Sequence, residues 1–282
     1  MLDHATEVVS EATHSYALTL EYDGTLFSGW QRQPGVRTVE GVLLDAIAAV
    51  TGEQVRLTAA GRTDAGAHAH GQVAGCALHR EWEPRRLRAA LNAHLPEDAV
   101  VLEVRPAPTD FHARFDARSR TYRYLVAPRA ERAAVARDHA WRVARQLDVE
   151  AMRRAAAQLV GTHDFAAFGR SPRAGGSTVR TIHALTVDAH ALPDPDGRPA
   201  ADPRTVVAID VTADAFLYGM MRAIAATLVA VGGGRLDAPS VASLLDAPRT
   251  ARRLPTAPAH GLHQWAVTYD HFTAGDGDDK CR

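Results

Sequence analysis

One order of elements, strand–helix–strand–strand–helix–strand, is legible twice along these 282 residues, and it narrows the possible folds more than any motif does. In the first copy Tyr16, Leu18, Leu20 and Tyr22 alternate with Ala17, Thr19 and Glu21, the two-residue period of a strand. Asp23-Gly24 breaks that strand, and a loop rich in Gly, Pro and Gln, with Trp30, follows. Thr38 is an acceptable N-cap for a helix that puts Val39, Leu43, Ile47 and Val50 on one side and stops at Gly52. Strands are predicted at 54–60 and 72–78, a helix at 84–94 with Pro84 in its first turn, and a strand at 99–106. The second copy reads as a strand at 119–127, a helix at 148–160, strands at 178–189 and 205–212, a helix at 217–231 and a closing strand at 262–270. A short extra helix is predicted near 239–246.

The expected architecture is α+β: two ferredoxin-like βαββαβ halves, 15–112 and 113–272, packed as one unit with a cleft between them. A loose leader at 1–14, a polar tail at 273–282 and a Pro/Asp/Gly loop at 191–204 are the expected irregular parts.

Composition bounds the function. With 46% hydrophobic and 23% charged residues the chain has enough apolar mass for a real core. The longest apolar run, Ala223–Gly232, falls well short of the roughly 20 residues that span a bilayer. The first residues lack the basic stretch of a signal peptide, so a cytoplasmic location is expected. Cys76 and Cys281 are too few for a disulfide framework or a cysteine metal site. The net charge of −1 argues against wholesale affinity for nucleic acid, yet arginines greatly outnumber acids between Arg105 and Arg145. That stripe reads either as a grip on phosphates, through planar bidentate forks, or as a solvated face.

The sharpest chemical feature is Gly61-Arg62-Thr63-Asp64-Ala65-Gly66-Ala67-His68-Ala69. Its glycines permit tight turns and close approach of a ligand. Asp64, ionised at neutral pH and beside an arginine, could act as nucleophile or base. Asp in a Gly-rich turn also serves plain turn chemistry, and residues alone leave both readings open. Asp64, His68 and His70 could touch a metal, but no further ligand set accompanies them.

GRTDAGAHA resembles the signature of the TruA family of tRNA pseudouridine synthases, with Ala67 where that family commonly has valine. EYDGTLFSGWQRQ (21–33), LNAHLP (91–96), DFHARFDARSRTYRY (110–124), TVRTI (178–182), FLYGMMRAI (216–224) and GLHQWAV (261–267) are similar to successive parts of the same family. The likeness runs over roughly residues 15–270. It implies the pseudouridine synthase fold and isomerisation of uridine in the anticodon arm of tRNA, at positions 38, 39 and 40 in the family. It further implies no cofactor or metal, tRNA as partner and a homodimer.

By the same likeness Asp64 is the catalytic aspartate, Tyr122 lies against the target base, Arg222 pairs with the aspartate and Arg62 assists base flipping. Tyr122 also fits a plain strand position, alternating with Tyr124 and Val126. The chemistry suits the residue types: N1–C1′ breaks, the uracil turns and C5–C1′ forms, with nothing oxidised or hydrolysed. The aspartate attacks C6 or C1′, or supports elimination through a glycal, and the sequence does not choose. A synthase acting on another RNA, or an inactive tRNA-binding protein, is the alternative outcome.

Overall fold

The computed structural model describes residues 13–128, 134, 136–191, 205–246 and 254–275. Residues 1–12 of the expected leader and 276–282 of the expected tail therefore lie outside the described residues, as do the 191–204 loop beyond its first residue and Cys281, while the first tail residues form a strand. The N-terminal half runs β1 (His14–Tyr22), α1 (Val39–Thr51), β2 (Thr58–Ala59), β3 (His68–Leu78), α2 (Pro84–Asn92) and β4 (Ala99–Ala107). The rest runs β5 (Ser119–Pro128), β6 (Trp141–Val143), α3 (Val149–Ala157), β7 (Gly161–Asp164), β8 (Val179–Ala191), β9 (Thr205–Ala213), α4 (Met220–Gly232), α5 (Ser240–Leu245), β10 (Leu262–Thr268) and β11 (Thr273–Ala274).

Local chemistry explains the helix ends. Thr38 caps α1 through its hydroxyl, which accepts from the Gly41 amide, and Gly52 ends the helix in a left-handed conformation. Pro84 opens α2 behind Glu83, whose carboxylate accepts from the Arg85 and Arg86 amides. Leu43 and Ile47 of α1 meet Leu87 and Leu91 of α2 and Leu18 and Leu20 of β1 in one buried cluster. Each such buried side chain contributes about 1.5–3 kcal/mol. A second cluster in the other half joins Met152 of α3, Leu228 of α4, Ile209 of β9 and Tyr124 of β5.

Among the described residues one eleven-stranded sheet carries everything, in the order β4-β1-β3-β10-β5-β9-β8-β7. The order β4-β1-β3, with β2 on the flank of β3, is repeated as β10-β5-β9-β8, so the duplicated pattern is real and α+β is the class. The copies join where β10 pairs in parallel with the start of β3, His263 opposite His68 and Gln264 opposite Ala69. Two expectations for this half are corrected. β3 begins at His68, not near residue 72, because β10 supplies its first residues with a partner from far along the chain. The strand expected at 54–60 shrinks to Thr58–Ala59, while Val55 and Leu57 pack against the core without joining the ladder. α4 starts at Met220 rather than 217, since Gly219 precedes it at φ +79°. Strands β6, β7 and β11 lie beyond the sequence expectation.

Imidazoles stack across this junction. The His68 ring lies 4.5 Å from that of His139 and 4.7 Å from that of His263, which in turn stacks 5.5 Å from His70. His68 Nε2 donates to the Asp138 carbonyl at 2.8 Å, and His263 Nε2 donates to that of His139 at 2.9 Å. Burial, with neighbouring histidines adding to it, pushes the His263 pKa from 6.5 down to about 3. Burial lowers that of His68 as well, and it acts against the Asp23 carboxylate beside the ring. The folded state therefore holds His263 neutral while the unfolded chain takes up a proton below pH 6.5. Stability is complete above that pH and falls as the pH drops, by up to about 1.4 kcal/mol per pH unit for each such group. Urea midpoints at pH 7 and pH 5.5 should differ accordingly, and His263→Gln should shrink the difference. Equal midpoints would show that the column protonates without cost.

Candidate active site

The loop between β2 and β3 is held at almost every backbone position. The Gly61 carbonyl accepts from Gln72 Nε2 at 2.8 Å, the Thr63 carbonyl from the Trp30 amide at 3.1 Å, and the Gly66 amide donates to the Phe27 carbonyl at 3.3 Å. The Thr63 hydroxyl meets that of Tyr22 at 2.8 Å. The loop packs so closely on residues 27–30 that a Cβ at Gly29, itself at φ +86°, would sit 2.7 Å from the Thr63 carbonyl. These contacts give Asp64 a fixed direction.

That direction leads to Arg222. Its Nη1 donates to Asp64 Oδ2 at 2.6 Å, across 158 residues of sequence, and its Nε donates to the Ala257 carbonyl at 2.6 Å. The side chains are 19% and 22% exposed, so solvent screens this charge-assisted pair only in part while one carboxylate edge stays reachable. Arg222 is the third residue of α4, and the chain reaches it through Gly219. The structure thus joins two residues that the sequence placed in different halves.

Tyr122 comes from β5, where Arg120, Tyr122, Tyr124 and Val126 share one buried face. Phe216 packs edge-on against its ring at 4.8 Å. A Cβ at Gly61 would lie 3.1 Å from the Tyr122 hydroxyl, so glycine there lets the hydroxyl reach the Asp64 loop. Burial, and then the nearby Asp64 carboxylate, push the Tyr122 pKa up to about 12, with Arg120 opposing. No described residue bonds the hydroxyl, which is neutral and available to a ligand.

The Asp64 loop, Tyr122 and Arg222 line one cleft of about 780 Å³, large enough for an extruded nucleotide and more. Arg62, Arg114, Arg170, Arg173 and Arg180 stand around it, against the acids Asp64 and Glu40. Arg62 is exposed here and pairs with no described residue. The arginine stripe foreseen between 105 and 145 disperses instead. Arg105, Arg118, Arg123 and Arg137 pair with Glu103, Asp270, Asp210 and Asp138, while Arg114 and Arg120 face the cleft. The loop at 169–177 is a wall of the cleft, supplying Arg170, Ser171, Pro172 and Arg173.

Sequence reasoning missed Phe216 and Arg120. The Arg120 guanidinium is buried without a carboxylate partner among the described residues and donates to the carbonyls of Ala60, Ala117, Asp214 and Arg114. It ties the Asp64 loop to the segment that leads into α4. Its only sequence signal was an arginine at a core-facing strand position, two residues before Tyr122. The Asp64, His68, His70 grouping does not form a site: His68 is not on the cleft, and its Nδ1 and Nε2 take the Gly24 amide and the Asp138 carbonyl.

A carboxylate on a rigid loop, an arginine paired with it, a buried tyrosine and a cationic rim suit an enzyme that acts on a nucleic acid. The comparisons with known proteins specify which. The tRNA pseudouridine synthase family model matches residues 19–116 and 155–270, and the chain belongs to that family. It is similar to the protein named tRNA pseudouridine synthase A of Azorhizobium caulinodans, 42% identical over 90% of this chain and 94% of the relative. Proteins of the same name from Agrobacterium fabrum (40% identical, over 90% of this chain and 92% of the relative) and Acetivibrio thermocellus (37%, over 89% and 98%) match equally fully. Family membership makes the chain an isomerase of uridine in tRNA.

Proposed function

We propose that this chain converts uridine to pseudouridine in the anticodon stem-loop of tRNA, at positions 38, 39 and 40, with Asp64 as the nucleophile. The observation that carries the reading is the 2.6 Å Asp64–Arg222 pair at an arginine-rimmed cleft beside Tyr122. Arg222, donating to Asp64 Oδ2, keeps the carboxylate aimed as the base enters. Arg62, exposed at the rim, takes the place vacated by the flipped nucleotide or its phosphate. Tyr122 faces the uracil, with its hydroxyl placed to relay the proton that leaves C5. The isomerisation is redox-neutral and consumes no water, and these side chains supply its acid–base and nucleophilic needs without a cofactor or metal. Tritium release from C5-labelled tRNA, with the modified positions mapped, tests the assignment. Release from uridines outside the anticodon arm would redirect it to another RNA site.

The family's homodimer and a cytoplasmic location belong to the same proposal. No helix among the described residues is long and apolar enough to cross a membrane.

Tyr122 has two separable jobs. Tyr122→Phe keeps the ring and its edge contact with Phe216 but loses the hydroxyl, whereas Tyr122→Leu loses both. If the hydroxyl relays the proton, the Phe variant stalls after glycosidic cleavage or during rearrangement with binding nearly intact. That is the expected result. A Phe variant close to wild type beside a crippled Leu variant would reduce the role to stacking, worth about 1–3 kcal/mol.

A further inference from the structure

Two large aromatic side chains on the rim of the cleft are left open to solvent, Phe115 at 65% and Tyr218 at 56% exposure. They come from separate segments of the chain, one ahead of β5 and one ahead of α4. Phe115 has His112 against its ring at 4.2 Å, on a segment between β4 and β5 whose Arg114 carbonyl is bound by Arg120. Tyr218 lies between β9 and α4, with the Arg170 guanidinium 4.4 Å from its ring centre. A lone surface cation–aromatic pair is ordinary. This one is fixed from both backbones: the Arg170 amide donates to the Tyr218 carbonyl at 3.3 Å and the Tyr218 amide to that of Arg170 at 3.0 Å. The left-handed Gly219 then turns the chain into α4.

The position of Tyr218 relative to the reacting centre follows from α4. It precedes Arg222, the third residue of that helix, by four residues, and both line the cleft that holds Asp64. Arg222 touches Asp64, so the Tyr218 ring shares one cleft with the carboxylate that faces the extruded uracil. Arg170 occupies one face of the Tyr218 ring and leaves the other for a base, and Arg173 flanks the same wall with further positive charge. An aromatic face within a cationic groove is how proteins hold an unpaired base without reading its sequence.

We propose that Tyr218, braced by Arg170, is a stacking platform for the nucleobase adjacent to the extruded uridine, and thereby a positioning residue for the reaction. This rests on the reading of Asp64, Tyr122 and Arg222 as the centre that receives the uridine. Extrusion strips the neighbouring base of its stacking partner, and the Tyr218 ring replaces that partner while fixing the backbone on one side of the target. Phe115, also exposed on the cleft, is a second aromatic face within the same lining.

The test couples protein and RNA changes in binding, where no turnover is needed. In the Asp64→Asn background, Kd is measured for an anticodon stem-loop and for the same RNA with an abasic residue immediately 5′ or 3′ of the target, each with Tyr218 and with Tyr218→Ala. Tyr218→Ala should weaken binding of the intact RNA by roughly 5- to 100-fold, the range of one base–aromatic stack. One of the abasic RNAs should bind the Tyr218 protein more weakly by a similar factor, and Tyr218→Ala should then add little. Tyr218→Trp should restore affinity for the intact RNA. Losses that multiply for both abasic RNAs, or a Tyr218→Ala protein that binds like its parent, would overturn the platform. A wild-type protein that fails to isomerise the stem-loop would instead count against the catalytic reading, while the Kd coupling still decides the platform.

Discussion

Asp64→Asn should lower turnover by about 10⁴-fold or more, the scale on which loss of a nucleophile is felt, with tRNA affinity unchanged within a few-fold. The substitution is nearly isosteric, and the asparagine carbonyl can still accept from Arg222 Nη1, now 2.6 Å from Asp64 Oδ2. The loop should therefore keep its shape, because its anchors at Gly61, Thr63 and Gly66 do not involve the carboxylate. Single-turnover assays on prefolded tRNA, beside filter-binding titrations, separate the two effects. Turnover near the wild-type rate would falsify the nucleophile assignment and return Asp64 to the role of a turn residue.

Arg222→Ala should act almost as strongly, slowing the chemical step by about 10²- to 10³-fold, as when one preorganised donor is removed from a reacting centre. The expectation comes from two broken bonds. Asp64 loses its charged partner, and the Ala257 carbonyl loses the guanidinium that fixes the approach to β10. Arg222→Lys should recover part of the rate, since an ammonium returns the charge but not the fork that spans both acceptors. Binding of tRNA should change far less than the rate. Equal single-turnover rates for wild type and alanine variant would leave Arg222 only a packing role.

Much of this was legible in the sequence wherever the signal was local. The α1 helix follows its Thr38 cap and Gly52 stop, and α2 begins where Pro84 allows. β1, β4, β5 and β9 obey alternation or apolar runs that one face of a sheet imposes. What stayed hidden was long-range. Nothing near His68 says that β3 starts there, because the partner that makes it a strand is His263. β7 is four residues with His and Asp among them and is a strand only through β8. The site divides the same way. Asp64, Tyr122, Arg222 and Arg62 were nominated by family likeness, and the structure brings the first three onto one cleft while leaving Arg62 at its rim. Arg120 and Phe216 could not be nominated, since an arginine or phenylalanine gives no local sign of which distant carbonyls or rings will meet it.

The place of β10 in the sheet bears on how the chain is made. This strand, Leu262–Thr268, enters between β3 and β5, both synthesised long before it. Until the ribosome has released those residues, the start of β3 and one flank of β5 present open ladders, the kind of edge that pairs with other chains. Arg222 shares the dependence, because its anchor at Ala257 lies in the segment just ahead of β10. A nascent chain that ends before Leu262 thus holds the Asp64 loop, Tyr122 and α4 but lacks the strand that brings the halves into register. The arrival of β10 closes the sheet and completes the setting of the candidate site, so a chain truncated before Leu262 should be inert and prone to aggregate.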